Sequence, residues 1–373
     1  MKQLHIISFN YPYPPSYGGI IDVYYKIRAL SEAGVKIHLH CFVDQIPETI
    51  DPEVKECTEN LFFYQKKKNP LLYFSGVPFA AAIRNSKTLL KNLQQNPAPV
   101  LFEGLQTTSA IDYLKSYQQP LYLRYHNNEA EYYKGLSQSE KSLFKKVIYK
   151  IESLKFVGYQ KKRLKTFTSV FCLSEKEFNE VEVYSKNAQL IPIFHGNISV
   201  KPLDRKGDYF LFHGDLTTAD NKRALNETID LFKDLPQYRL IVASDRASED
   251  IKKRISAVKN ISLSPIQTTE NLHLLLEKAH ANILLSYQNS GTKVKLFNSL
   301  YNSRFVIINE NITDDPELIS LCLFGSAKDK IRQQIITAAE KDYDSFENRK
   351  NILEKKHSDL AKAEEMVAII FRD

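Results

Sequence analysis

Hydrophobic positions in the first forty residues follow two different periods. Residues 4–9, Leu4-His5-Ile6-Ile7-Ser8-Phe9, form a short apolar run of the buried-strand type. From residue 20 the spacing becomes Ile20, Val23, Tyr24, Ile27 and Leu30, the stripe of an amphipathic helix. Gly34 predicts the end of that helix, and residues 36–43 predict the next strand. Strands that alternate with helices pair in parallel through right-handed crossovers, so the opening pattern predicts a doubly wound α/β fold.

The alternation continues with strands at 99–103, 121–125, 169–173 and 188–193 and a helix near 109–117. Ser174-Glu175-Lys176-Glu177 has the form of a capping box, which opens another helix. Residues 195–207 mix Gly, Asn, Pro and charge without period, as an interdomain linker does. The pattern then restarts with a strand at 208–213, a loop at 214–219 and a helix at 220–233. Further strands are predicted at 238–243, 260–263, 281–286 and 305–308. Residues 345–371 are helical in composition, and such a tail is expected to fold back on the first domain. The expected architecture is α/β, with two Rossmann-like domains facing each other across a cleft. The first covers 1–200 and is joined by a C-terminal helix at about 350–373; the second covers 201–349.

Composition supports a soluble globular chain. Its 373 residues are 43% hydrophobic and 25% charged, enough for two domains with cores of their own. Cys41, Cys57, Cys172 and Cys322 are scattered and form no CxxC pair, so neither a zinc knuckle nor a disulfide framework is expected. The first apolar run is too short for a signal-peptide core, and no stretch approaches the ~18 apolar residues of a spanning helix. The expected location is cytoplasmic, either free or peripheral at the inner membrane face.

The net charge of +7 is concentrated in one place. Residues 134–166 hold ten Lys or Arg against Glu140 and Glu152, which leaves the rest of the chain at −1. This segment predicts a long helix with Leu143, Val147, Ile151 and Leu154 on one face and Lys141, Lys145, Lys146 and Lys150 elsewhere. One reading is a solvated face; the other is attraction to an anionic leaflet, at roughly 1 kcal/mol per basic residue near the surface. No nucleic-acid module accompanies the patch, so nucleic acid is not an expected partner.

Ligands of open α/β sheets bind beyond the carboxyl ends of the strands, which makes the loops there the places to look. Gly18 and Gly19 stand directly before a helix, where backbone N–H groups and the helix terminus suit an anion; a tight turn is the plainer reading. The spacing is not GxGxxG, so a nicotinamide or flavin dinucleotide is disfavoured. After the strand 121–125 come Arg124, His126, Asn127, Asn128 and Glu129, a polar run suited to lining a cleft. After the strand 281–286 come Ser290, Gly291, Thr292, Lys293, Lys295 and Asn298, whose amides, hydroxyls and ammonium groups suit phosphate oxygens. The Walker spacing is absent there, so ATP hydrolysis is not indicated.

In order and spacing these words resemble the GT-B glycosyltransferases, in particular the family 4 type. The Gly18-Gly19 loop is similar to that family's amino-terminal glycine loop, and residues 123–133 resemble its R-x-H-N-x-E-x-x-Y stretch. Phe212-His213-Gly214-Asp215-Leu216 with Asn221 looks like the opening of the donor domain. Residues 291–300, followed by Arg304-Phe305-Val306-Ile307, resemble its G-x-K-x-K segment.

The resemblance implies sugar transfer, with retained anomeric configuration, from a nucleotide diphosphate sugar to a glycan or lipid-linked acceptor in cell-surface polysaccharide synthesis. The donor would bind mostly to the second domain and the acceptor mostly to the first. Gly18 and Gly19 would lie against the diphosphate or acceptor, and His126 would face the transferred sugar. Lys293 or Lys295 would neutralise the leaving diphosphate with Lys222 or Arg223, beside Gly214 and Asp215. Arg124, Asn127 and Glu129 would line the acceptor side. Neither metal nor cofactor is implied.

The chain departs from the family pattern at several places. Ser290 and Asn298 stand where the family carries two glutamates, Asp215 stands where many members have Arg, and Ser303 replaces a glycine. Two other readings share the architecture: a sugar-nucleotide epimerase, which needs carboxylates and a histidine in its cleft, and a binding protein that has lost catalysis.

Overall fold

The computed structural model describes residues 2–114, 117–203, 205–288, 293–342 and 346–372. The chain forms two compact units, Met1–Gly196 with Asp359–Asp373, and Asn197–Ser358. Both are parallel α/β layers, as the alternation of periods predicts.

The first unit is built on a seven-stranded sheet of order β3-β2-β1-β4-β5-β6-β7. These strands are β1 (Gln3–Ser8), β2 (Lys36–Val43), β3 (Asn60–Gln65), β4 (Val100–Glu103), β5 (Leu121–Tyr125), β6 (Ser169–Cys172) and β7 (Ala188–Leu190). A parallel sheet is covered on both faces, which is why its strands read as nearly unbroken apolar runs. Leu4, Ile6 and Leu39 pack beneath Ile20, Val23, Ile27 and Leu30 of helix α1 (Gly18–Glu32). Ile7, Phe102, Leu123 and Tyr125 face the other way, onto Phe156 and Tyr159. Gly34 ends α1 at φ +81°, with its N–H on Ser31 O, as the sequence predicts.

Helices α2 (Glu129–Ser139) and α3 (Leu143–Arg163) follow β5. The buried side of α3 is Glu152, Ser153, Phe156, Tyr159, Gln160 and Arg163. The stripe Leu143, Val147, Ile151 and Leu154 therefore lies on the exposed side of the helix. Ser174 caps the next helix by accepting from the Glu177 N–H, and the Glu177 carboxylate returns to the Ser174 hydroxyl. The helix expected near 109–117 is instead a run of 3-10 turns over Leu105–Tyr113. Thr107 and Thr108 turn their hydroxyls onto the carbonyls of Gly104 and Leu105, which competes with α-helical bonding.

The second unit repeats the design with a six-stranded sheet of order β10-β9-β8-β11-β12-β13. Its strands are β8 (Tyr209–His213), β9 (Leu240–Ala243), β10 (Ile261–Ser264), β11 (Ala279–Leu284), β12 (Phe305–Ile308) and β13 (Leu323–Phe324). Phe210 and Phe212 pack on Leu225, Ile229 and Phe232 of helix α4 (Ala219–Lys233). Helix α5 (Val294–Asn302) leads into β12.

The helical tail is two helices with different allegiances. Phe346–Lys356 stays with the second unit, where Arg349 reaches the Arg304 carbonyl at 3.0 Å and Tyr301 donates to Leu353 O at 2.9 Å. Helix α6 (Asp359–Ile370) joins the first unit: Asp359 accepts from the N–H groups of His195 and Gly196, and Lys362 donates to Ile193 O at 2.6 Å.

Across β1, β2 and β3 of the first unit, a chain of hydrogen bonds has its direction set by one carbonyl. His5 Nε2 donates to Asn96 O at 2.6 Å, so His5 Nδ1 accepts from His40 Nε2 at 2.9 Å. His40 Nδ1 then accepts from Tyr64 OH at 2.8 Å, and Tyr64 accepts from Asn92. Every link requires neutral rings. Burial pushes His5 down to about 4 and holds His40 well below its ordinary value. The unfolded chain takes up these protons below pH 6.5, so the stability is complete above that pH and is lost as the pH falls toward 4. Buried Glu129, whose carboxyl is raised, acts in the opposite sense, but as one group against two. The urea midpoint of the first unit should therefore drop between pH 7 and pH 5, by about 2 kcal/mol of stability. A midpoint independent of pH over that range would contradict the neutral histidine chain.

Candidate functional site

The carboxyl ends of β4 and β5 bring together four buried charges that come from distant parts of the sequence. Asp22 and Lys26 stand one turn apart on α1, Glu103 ends β4, and Arg124 is next to last in β5. Lys26 Nζ donates to Asp22 Oδ2 at 2.8 Å and to Glu103 Oε2 at 2.9 Å. Arg124 donates from Nε and Nη2 to the two Asp22 oxygens, and from Nη1 and Nη2 to the carbonyls of Ile191 and Pro192. The Phe194 N–H completes the shell of Asp22 at 2.9 Å. Burial alone would raise both carboxyls. The cations override it, with Arg124 and Lys26 holding Asp22 well below the usual range and Lys26 and His126 lowering Glu103.

His126 follows this cluster. Its Nε2 lies 2.8 Å from Glu103 Oε2, which accepts and so fixes the proton on Nε2. In the neutral ring Nδ1 is then the acceptor that can meet a ligand. Phe9 holds the ring edge-on at 5.6 Å between centroids. Asp22, Glu103 and His126 offer ligand atoms within 4.8 Å of one another, a donor set that suits a divalent cation. Lys26 already places its ammonium against both carboxylates, so an ion would have to displace it.

Arg124 was expected to line the acceptor side. It is fully buried and spends its donors on Asp22 and two carbonyls, so it builds the strand end. Asn127 is exposed, and Asn128 caps α2 through the Glu131 N–H. Glu129, in the first turn of α2, is buried, and burial pushes its carboxyl up to about 7 against the charge of Arg84. Gly18 and Gly19 open α1 without left-handed backbone. A Cβ at Gly19 would come 3.0 Å from the Phe9 ring, whereas at Gly18 it would meet nothing within 4 Å. The tight-turn reading therefore gives way to close packing at Gly19 and open space above the helix terminus at Gly18.

In the second unit the chemistry gathers where β8, β11 and β12 end. Asp220 accepts from Ser286 Oγ and from the Tyr287 N–H, both at 2.7 Å, and Asn309 brackets Ser286 with two further bonds. Tyr287 donates to Glu227, and the Arg223 guanidinium sits 3.7 Å from the centre of its ring. Lys295 Nζ donates to Leu285 O at a long 3.4 Å; burial lowers its pKa to about 8, with Asp220 opposing that. Buried His213 is held down to about 3, first by desolvation and then by Lys295. Lys222 is exposed, and Gly214 admits Asn221, whose amide donates to Asp215 O at 2.9 Å. Asp215 itself folds onto the Thr217 N–H and hydroxyl. Lys293 occupies the N-cap position of α5 without a side-chain capping bond, and Asn298 Oδ1 accepts from Asn197 at 2.9 Å. Ser290, Gly291 and Thr292 lie outside the described residues.

Sequence reading missed Asp22, Lys26, Glu103, Asp220 and Tyr287. The only trace of the first three is an Asp–Lys pair four residues apart on a largely apolar helix and a lone Glu closing the strand Val100-Leu101-Phe102.

The structure resembles several solved structures over nearly its full length. A sucrose-phosphate synthase from Thermosynechococcus elongatus matches with TM-score 0.69 and 14% identity, covering 98% of this chain and 97% of the other. WaaG, a glycosyltransferase involved in lipopolysaccharide biosynthesis, gives 0.62 and 10%, covering 99% and 100%. Anabaena HepE, in complex with UDP and glucose, gives 0.67 and 8%, covering 100% of both chains. The fold is GT-B. In sequence, the chain is 25% identical over 324 residues to an uncharacterized 44.6 kDa protein in the cps region of Klebsiella pneumoniae, covering 82% of each. No protein-family model matches.

Within the first GT-B unit, the charge cluster should dominate stability locally. Removing one partner of a buried pair strands the other, at a cost of about 3–5 kcal/mol. Arg124→Gln should lower the free energy of urea unfolding by that amount, whereas Lys134→Gln, whose pair with Glu131 is exposed, should cost under about 1 kcal/mol. Equal losses in the two variants would show that the cluster carries no special weight.

Proposed function

We propose that this chain is a metal-independent, retaining glycosyltransferase of the hexosyltransferase type. It moves a sugar from a nucleoside diphosphate sugar to a glycan or lipid-linked acceptor in cell-surface polysaccharide synthesis. The GT-B fold and the cps-region relative support the class. The observation that carries the reading is Lys295, in the first turn of α5, a largely buried ammonium whose one bond among the described residues is long.

An ammonium there, with the helix terminus, stabilises the charge that develops on a departing diphosphate. As the bond from the anomeric carbon to the phosphate oxygen breaks, the acceptor oxygen bonds to that carbon and passes its proton to the departing phosphate oxygen, which takes the bonding electron pair. His126, tied to Glu103 through Nε2, keeps Nδ1 for a hydroxyl of the sugar. An epimerase is less well supported, because Asp22 is committed to Lys26 and Arg124, and Glu103 Oε2 to Lys26 and His126.

Thermal shifts with UDP and GDP test the reading. One of them should raise the melting temperature by mass action, and Lys295→Ala should abolish the response. Because Lys295 is charged below about 8, affinity should be full at pH 7 and fall as the pH rises through 8. No response to any nucleoside diphosphate, or an affinity flat to pH 9, would overturn the assignment.

A further inference from the structure

Helix α3 presents two opposite faces. The inner one carries Glu152, Phe156, Tyr159 and Arg163. The outer one carries Leu143, Val147, Ile151, Leu154 and Val157, with Phe144 on its flank, and all are exposed; Leu143 is 79% and Phe144 76% accessible. A helical rise of 1.5 Å per residue makes this stripe about 20 Å long. Lys150 and Lys161 fall within it at helical spacing, and Lys146 and Lys162 border it. The one acidic residue of the helix, Glu152, turns inward to the Phe79 N–H and Lys155.

A second element extends the stripe. The 3-10 turn Pro70–Phe74 is fastened to α3 by Lys155 Nζ, which donates to Tyr73 O at 2.6 Å, while the Tyr73 ring stacks on Phe79 at 3.7 Å. The same turn carries Leu71 and Phe74, 69% and 87% exposed, directly after exposed Lys67 and Lys68.

We propose that this surface, α3 with the Pro70–Phe74 turn, seats the first unit on an anionic lipid bilayer. The apolar stripe needs a phase that takes up Leu and Phe side chains, and the lysines need negative charge at the rim of that phase. An anionic leaflet supplies both. A second copy of the same face would bring lysines against lysines. Among the described residues no helix is long and apolar enough to cross a membrane, so the attachment lies in the plane of the interface. The idea goes beyond the transferase reading and does not rest on it.

Co-sedimentation of the full chain with vesicles decides it, with no sugar donor present, so a failure here leaves the nucleotide experiment untouched. The chain should pellet with vesicles containing phosphatidylglycerol, weakly with phosphatidylcholine alone, and less at high salt. Lys146, Lys150, Lys161 and Lys162 changed together to Gln should weaken binding at least tenfold, each lysine contributing about fivefold at most. Leu143→Gln with Phe144→Ser and Phe74→Ser should abolish it while leaving the circular dichroism and melting temperature unchanged, since these side chains are already in water. Three results would overturn the proposal: no pelleting with anionic vesicles, apolar variants that bind like the parent, or lipid-free self-association in sedimentation velocity that those variants abolish.

Discussion

The bidentate pair of Arg124 and Asp22 is the interaction on which the first unit depends. It places full charges in a region without solvent, a burial that is tolerable only when nearly every donor and acceptor finds a partner. Asp22 accepts four hydrogen bonds, and Arg124 and Lys26 balance Asp22 and Glu103 in charge. One cluster therefore fixes several things together: α1 against the ends of β4 and β5, the chain at 191–194 on its way out of the unit, and His126 just beyond the carboxyl end of β5. Phe194 lies among the cations, with the ammonium or guanidinium groups of Lys26, Arg124 and Lys362 between 5.0 and 5.7 Å from its ring. The returning helix α6 thus locks the same segment from the other side.

The second unit solves the corresponding problem with less charge. Asp220 at the start of α4 reaches across to Ser286 and Tyr287 beyond β11, and the amides of Asn309 and Asn311 hold the Ser286 carbonyl. Beside this knot Lys295 has one long bond to a carbonyl among the described residues, whereas Lys26 is held between two carboxylates. Likewise Asn298, which occupies a position where the resembled family has a glutamate, commits its Oδ1 to Asn197.

The fold was largely legible because parallel strands buried on both faces announce themselves as apolar runs, and because Gly34 and the Ser174 capping box mark helix ends by local chemistry. Strand β3 escaped because it forms the sheet edge, where Leu61, Phe62 and Phe63 are only half-buried between polar Asn60 and Gln65. The 3-10 run at Leu105–Tyr113 escaped because hydroxyl-to-carbonyl bonds of Thr107 and Thr108 leave no periodic signature. The site was less legible than the fold. Arg124 looked like a cleft residue because a charge at a strand end ordinarily seeks water, and nothing local reveals that Asp22, 102 positions away, meets it in the core. The stripe on α3 was visible, but period alone cannot say whether an apolar face looks inward or outward.

What unites these observations is that the buried cluster sets the chemical state of His126. If Glu103, itself held ionised by Lys26, accepts the Nε2 proton, then Nδ1 is the unprotonated nitrogen of the neutral ring. Long-range proton–nitrogen correlation spectra of the histidine side chains at neutral pH, with His126 assigned by its loss in His126→Asn, read this directly. The account predicts the Nε2–H tautomer in the parent and tautomer mixing in Glu103→Gln. An Nδ1–H tautomer in the parent, or a spectrum unchanged by Glu103→Gln, would contradict it.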